Sequence, residues 1–170
     1  MNDMIRRFLI CPLLIVIFHL LQYVIVPYSY NGVSPDYLLL LVVSVAVFEI
    51  PQYAAIYGLA AGLLSDYSAA VGFGTRAMAF MLLSWALSYF VHKSLTTGIL
   101  TNTISVLAVY VITRLVYWCE YLINIGTFSL TDMLLNVVLP EIIMTVLLSP
   151  VVFLIVKLAL GNGSQQKQRR

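Results

Sequence analysis

A carboxylate stands among glycines in a part of the sequence that is otherwise almost entirely apolar. The segment is Gly58-Leu-Ala-Ala-Gly62-Leu-Leu-Ser-Asp66, and Gly72-Phe-Gly74 follows it. In a membrane, a charge near the bilayer centre costs at least about 2.5 kcal/mol, so such an acid faces a partner or a cavity. Glycines four residues apart lie on one helix face and let a second helix approach closely. The pattern predicts close helix packing beside a polar site.

A second set of polar residues is predicted to form a seam inside the membrane. Arg114 lies deep in an apolar run, and Tyr117 shares its helix face. We expect Asp66 or Glu141 to be the counter-ion of Arg114, because charges in lipid pair with one another. The alternative is an aromatic belt in which Arg114 extends outward to the membrane surface. Glu120 lies nearer the helix end, where water can reach it.

The sequence lacks the residue patterns that mark common catalytic and metal sites. It contains no phosphate-binding Walker loop, no His-Glu-x-x-His and no Gly-x-Ser-x-Gly. The motif of an intramembrane aspartyl protease is also missing, and it would have to supply a second acid as the partner of Asp66. The two cysteines and two histidines are not at metal-ligand spacing. These observations predict a protein that is not an enzyme and that needs no metal or cofactor.

Composition places the chain among integral membrane proteins. Of its 170 residues, 62% are apolar and 9% are charged, whereas soluble domains carry about 25% charge. A spanning helix needs about 20 apolar residues, so the length allows roughly five to six helices and no soluble domain. We expect one transmembrane domain over residues 1–160 and a short basic cytoplasmic tail over 161–170. The tail suits an anionic lipid surface, and no nucleic-acid partner is predicted.

The apolar runs predict an all-α bundle of about six transmembrane segments. They cover residues 8–26, 37–48, 53–64 or slightly beyond, 77–91, 99–123 and 133–156. The second run, at about 1.5 Å per residue, reaches about 18 Å and is too short for a hydrocarbon core of about 30 Å. This segment must be longer than the apolar run, thin the bilayer locally or form a re-entrant segment. The alternative is that residues 37–64 form a single span kinked at Pro51. Pro140 and Pro150 are expected to bend or break the last helix.

The distribution of basic residues predicts that both termini are cytoplasmic. With six crossings and an inside N-terminus, the external loops 27–36, 65–75 and 124–132 contain no Lys or Arg. Five crossings would send the basic tail outside. The residues then placed on the cytoplasmic side are Arg6, Arg7, Lys93, Lys157, Lys167, Arg169 and Arg170.

Three segments in a fixed order resemble the MreD family of bacterial rod shape-determining membrane proteins. They are Ser34-Pro35-Asp36-Tyr-Leu-Leu-Leu-Leu41, Tyr57-Gly58-Leu-Ala-Ala-Gly62-Leu-Leu-Ser-Asp66 and Gly72-Phe-Gly74-Thr-Arg-Ala77. The resemblance implies a non-enzymatic subunit of the cell-elongation machinery in the bacterial cytoplasmic (inner) membrane. Implied partners are an MreC-like single-span protein, MreB, RodA and a penicillin-binding transpeptidase. It also implies a fold similar to the substrate-binding components of energy-coupling-factor vitamin transporters.

On this resemblance the helical body is a docking module that holds the single transmembrane helix of the MreC-like partner. Pro35 and Asp36 would set the entry to the second helix, and Asp66 would cap or polarise the external end of the third segment. The implied packing or partner interface consists of Pro35, Asp36, Gly58, Gly62, Asp66, Gly72 and Gly74.

A different class of function stays open from the sequence alone. The chain could be a substrate-capturing membrane subunit of a small-solute, vitamin-type transporter. Its pocket would use Arg114, Asp66 and Glu141 together with tyrosines to bind a small polar ligand. An intramembrane protease is a third reading, and it would need a second acid paired with Asp66.

Overall fold

A computed structural model describes residues 3–25, 34–68, 74–94, 98–125 and 137–160, and the regular structure in these residues is helical. They form α1 (Asp3–Ile25), α2 (Tyr37–Phe48), α3 (Pro51–Ser68), α4 (Thr75–Ser94), α5 (Ile99–Ile125) and α6 (Leu139–Leu160). The expected all-α class is confirmed for this part of the chain. Gly72, the first residues expected in the last helix (133–136) and the tail 161–170 lie outside the described residues.

The helices differ in how well they suit a membrane. Within the described ranges, two spans are long and apolar enough to cross a bilayer, Ile99–Cys119 in α5 and Leu139–Leu160 in α6. Large apolar side chains are exposed on every described helix except α2, which fits a surface that contacts lipid. Six crossings and the sidedness of the termini stay predictions.

Helix α2 lies at the centre of the bundle. It packs against α1, α3, α4, α5 and α6, and all 12 of its residues are buried. Because protein surrounds it on every side, α2 does not have to cover the full thickness of a hydrocarbon core. Its shortness, a difficulty when read from the sequence, is explained by this position.

The chain between α2 and α3 is broken rather than kinked. Glu49 ends α2 in an extended conformation, with φ −101° and ψ 155°, and α3 begins at Pro51. A proline is well tolerated at the first helical position, where its missing N–H would have no partner in any case. The two helices pack against each other, so the alternative of one kinked span over residues 37–64 is wrong.

Helices α3 and α4 form a closely packed pair because α3 carries two glycines on the shared face. A Cβ added to Gly58 would overlap Ser84 Oγ and lie 2.5 Å from the carbonyl oxygen of Phe80. A Cβ added to Gly62 would overlap the Cα of Ala77. The predicted glycine face is therefore occupied within the chain by α4.

Two buried serines of α4 complete this interface. Ser84 Oγ donates a hydrogen bond to the carbonyl oxygen of Ala54 at 2.9 Å, and Ser88 Oγ donates to that of Glu49 at 2.5 Å. A buried hydroxyl without a partner would cost about 1–3 kcal/mol. The hydroxyls thus join α4 to α3 and to the α2–α3 junction.

The prolines of α6 do not divide the described part of that helix. Pro140 lies in the first turn of α6, directly after a π-helical turn at 137–138, and the missing N–H of a proline is tolerated there. At Pro150 the helix continues to Leu160. The expectation of a broken helix is wrong for residues 139–160.

Candidate functional site

One end of the bundle, which we call the polar end, contains Asp36, Asp66, Arg76, Arg114 and Glu141. It comprises the ends of α1 and α3, the beginnings of α2 and α4, and the adjacent parts of α5 and α6.

Asp66, in the last turn of α3, binds the N-terminus of α4. Its carboxylate accepts hydrogen bonds from the backbone N–H groups of Gly74 at 2.9 Å, Arg76 at 3.2 Å and Ala77 at 3.0 Å. These groups have no partner within their own helix, and the positive end of the helix dipole favours a carboxylate there. Asp66 is 1% exposed, so it acts as a capping residue supplied by the neighbouring helix. The sequence singled out this acid, but the end that it caps is that of α4 and not of α3.

The turn into α4 depends on Gly74. Its φ is +100°, a conformation that residues with a side chain rarely adopt. This conformation precedes Thr75 and lets the N–H groups of the first turn face Asp66.

Arg114 on α5 forms an ion pair with Glu141 on α6. The guanidinium Nη2 contacts Glu141 Oε1, and the side chains are 21% and 8% exposed. The guanidinium carbon also lies 5.0 Å from the ring centroid of Tyr110 and 5.7 Å from that of Tyr117. Of the two acids expected from the sequence, Glu141 is the one that Arg114 contacts. The side chain of Glu120 lies outside the described residues.

Tyr117 lies between two guanidinium groups. The guanidinium carbon of Arg76 on α4 lies 4.8 Å from the centroid of the Tyr117 ring, and that of Arg114 lies 5.7 Å from it. The ring thus connects the glycine motif of α3 and α4 to the seam of α5 and α6, which the sequence treated separately.

Asp36 is the N-cap of α2 and also joins that helix to α6. Its Oδ1 accepts a hydrogen bond from the N–H of Leu39 at 3.0 Å. Its own N–H donates to Thr145 Oγ1 at 3.4 Å, and that hydroxyl donates to the carbonyl oxygen of Glu141 at 2.7 Å. Pro35, directly before the cap, is buried.

A cavity of about 230 Å³ opens beside Asp36, between α1, α2, α3 and α4. The residues that line it are His19, Gln22, Tyr23, Asp36, Leu38, Ser65 and Arg76. Arg76 Nη1 donates a hydrogen bond to Ser65 Oγ at 3.0 Å, and Gln22 Oε1 accepts one from the N–H of Tyr37 at 3.0 Å. Sequence reasoning did not select His19, Gln22 or Arg76 as site residues. For Arg76 the available signal was its position just after Gly72-Phe-Gly74 in the sequence.

No metal centre accompanies these groups in the part of the chain that the structure describes. No three His, Cys, Asp or Glu residues lie close enough there to hold a metal ion. The acids of the polar end instead bind backbone N–H groups or a guanidinium. What the arrangement can do chemically is to hold helices together and to present a cavity with charged walls.

Comparison with known proteins gives one positive result. A family model described as rod shape-determining protein MreD matches residues 2–160. The match extends well beyond residues 34–77, which carried the resemblance in the sequence. No curated protein and no solved structure gives a significant match, so the expected likeness to energy-coupling-factor components stays a prediction.

Proposed function

Because this chain belongs to the MreD family of rod shape-determining membrane proteins, we propose that it is a non-enzymatic scaffold subunit of the bacterial cell-elongation machinery. Membership implies a role in determining rod shape. The scaffold role, the partners and the topology are the proposal. In it, a six-crossing bundle with both termini cytoplasmic holds an MreC-like protein and, through it, MreB, RodA and a penicillin-binding transpeptidase.

One observation carries the scaffold proposal. The charged groups that first suggested chemistry are bonded to other parts of the same chain. Asp66 accepts three backbone hydrogen bonds from α4, and Arg114 pairs with Glu141. A nucleophile or general base has to be able to reach a substrate. Groups committed to helix ends and ion pairs favour a rigid body that positions partners.

The contacts of the glycines limit where a partner helix can dock. Gly58 and Gly62 face α4, so that surface is not available to an MreC-like helix. We place the partner instead on an outer face of the bundle, where large apolar side chains are exposed. Candidates are the exposed faces of α1, α4, α5 and α6.

The proposal is tested by photo-crosslinking in living cells. A tagged copy is expressed at its native level with a crosslinking amino acid at an outward position such as Leu13, 59% exposed, or at the buried control position Leu40. The complex is purified in mild detergent and its proteins are identified by mass spectrometry. We expect an MreC-like protein and wall-elongation enzymes to crosslink from outward positions and not from Leu40. Recovery of a transporter ATPase and its coupling subunit instead would contradict the scaffold role.

The contacts of its proposed binding residues give the solute-capture alternative no support. Asp66, Arg114 and Glu141 were to line its pocket, and each is bonded to another part of the chain. We therefore do not propose a vitamin-type transport role.

A further inference from the structure

Arg76 carries a charge that the described protein neutralises only in part. Its guanidinium contacts a serine hydroxyl and the Tyr117 ring, and no carboxylate among the described residues forms an ion pair with it. Arg114, one helix away, has Glu141 as its partner. An arginine stays protonated in proteins, so a half-buried guanidinium at the edge of an apolar bundle favours a bound anion. Arg76 lines the cavity described above.

The same cavity has an acidic wall. Asp36 lines it, and its Oδ1 accepts the N–H of Leu39 at 3.0 Å. Within the described residues no donor contacts Oδ2. The carboxylate can therefore cap α2 and receive an ammonium group at the same time. A cavity with a guanidinium and a carboxylate on its walls fits a ligand that carries both charges.

Two uncharged residues that line the cavity, Gln22 and His19, have hydrogen-bonding groups without a partner among the described residues. The carbonyl oxygen of the Gln22 amide is used by the N–H of Tyr37, which leaves the amide N–H groups to donate. His19 Nδ1 is buried and has no hydrogen-bond partner in the described structure. A buried polar atom without a partner is costly, and a ligand with phosphate oxygens would supply acceptors for N–H groups at this place.

Size and surroundings favour a lipid headgroup. A volume of about 230 Å³ holds several water molecules but is smaller than the ~300–1,000 Å³ of pockets for drug-sized ligands. On α1, Tyr23 at the cavity is exposed, and so are the apolar side chains of Leu20 and Val24 nearby. Acyl chains could lie along that surface while the headgroup occupies the cavity.

We propose that this cavity binds a zwitterionic phospholipid headgroup, with the phosphate at Arg76 and the ammonium at Asp36. The lipid would give each of the two side chains a group of opposite charge. This binding does not depend on the scaffold role, since a bound lipid would be found whichever proteins assemble around the bundle.

The first experiment measures which lipid stays bound. The full chain is purified in mild detergent, exchanged into an equal mixture of phosphatidylethanolamine and phosphatidylglycerol, and analysed by native mass spectrometry. We expect one phosphatidylethanolamine to be retained in preference to phosphatidylglycerol, because only the former has an ammonium for Asp36. Equal retention of the two lipids, or retention of neither, would overturn the proposal. This measurement of lipid preference needs only the wild-type protein.

Two variants assign the two charges. Arg76→Gln removes the cation and keeps a donor for Ser65, whereas Asp36→Asn removes the anion and keeps a side chain that caps helices well. We expect each to lower phosphatidylethanolamine occupancy about tenfold, as for the loss of one charge-assisted contact. Lys93→Gln, an exposed change in the last turn of α4, should leave occupancy unchanged. An equal loss in Lys93→Gln would show non-specific charge binding and refute the site.

Competition distinguishes a lipid from a soluble zwitterion. Free phosphoethanolamine offers the same two charges without acyl chains. We expect it to displace the lipid only at high excess. Displacement at a concentration comparable to that of the lipid would show that the headgroup alone is recognised and would overturn the assignment to a membrane lipid.

Discussion

The carboxylate of Asp66 accepts the backbone N–H of Ala77 at 3.0 Å, and the Cα of Ala77 lies directly against Gly62. The first turn of α4 is thus held from two sides by residues of α3 that are one helical turn apart. The glycine allows the approach, and the acid at the end of it supplies the hydrogen bonds. The spacing from Gly62 to Asp66 therefore has one structural purpose, which is to fasten α3 to the beginning of α4.

Removing the Asp66 carboxylate should destabilise the protein clearly. Asp66→Ala leaves three N–H groups at the beginning of α4 without their acceptor, and we expect the free energy of unfolding to fall by at least about 2 kcal/mol. Asp66→Asn keeps one acceptor oxygen and should cost less. Thermal unfolding in detergent measures both, with Leu63→Ala on the exposed side of α3 as the control. An Asp66→Ala protein as stable as this control would contradict the capping role.

Adding a methyl group to the glycine face should separate α3 from α4. Gly58→Ala and Gly62→Ala place a Cβ where atoms of α4 already lie, and overpacking of this kind costs about 1–3 kcal/mol. Gly98→Ala is a matched control, because nothing lies within 4 Å of its added Cβ. The measurement is the melting temperature of each purified variant. If all three variants melt alike, the close approach is not required.

A substitution at Gly74 should be harmful for a different reason. An added Cβ has nothing within 4 Å, but the backbone φ is +100°. We therefore expect Gly74→Ala to cost about 1–3 kcal/mol through backbone strain and not through overlap. Enlarging the side chain further separates the two causes. Gly74→Ser should resemble Gly74→Ala, whereas Gly62→Ser should be worse than Gly62→Ala.

Exchanging the charges of Arg114 and Glu141 should restore the stability that either single substitution removes. Arg114→Glu or Glu141→Arg alone leaves an uncompensated charge, which costs about 3–5 kcal/mol at a buried pair. The double exchange should recover much of the folded protein, measured as monodisperse yield and melting temperature. Asp66→Arg combined with Arg114→Asp should not recover it, because Asp66 binds α4 and not Arg114. Rescue by this second pair would refute the assignment.

The sequence predicted where the helices begin and end better than which helices pack against one another. The bounds of α2 were predicted to the residue, because the apolar run 37–48 stands between two acids, Asp36 and Glu49. Its burial on all sides was not predicted, since twelve apolar residues look the same whether lipid or protein surrounds them. That property depends on α5 and α6, which lie far along the chain.

The residues of the candidate site were likewise predicted better than their bonding partners. Asp66 and Arg114 were found because charges in an apolar run are conspicuous, but their partners were not fixed. The partners of Asp66 are backbone N–H groups, which every residue but proline carries, so no residue type could reveal them. The choice of Glu141 for Arg114 depends on which helices are neighbours. Arg76 was overlooked as a site residue because it stands near a turn, where an arginine is ordinary.

The central position of α2 also bears on how the protein is made. A helix of 12 residues leaves backbone groups at both ends that lipid cannot satisfy. Two of the helices that surround it, α5 and α6, are synthesised after it. The burial of α2 is therefore complete only when the chain has been made almost to residue 160. A protein stopped after α4 would leave α2 without the contacts that α5 and α6 make with it.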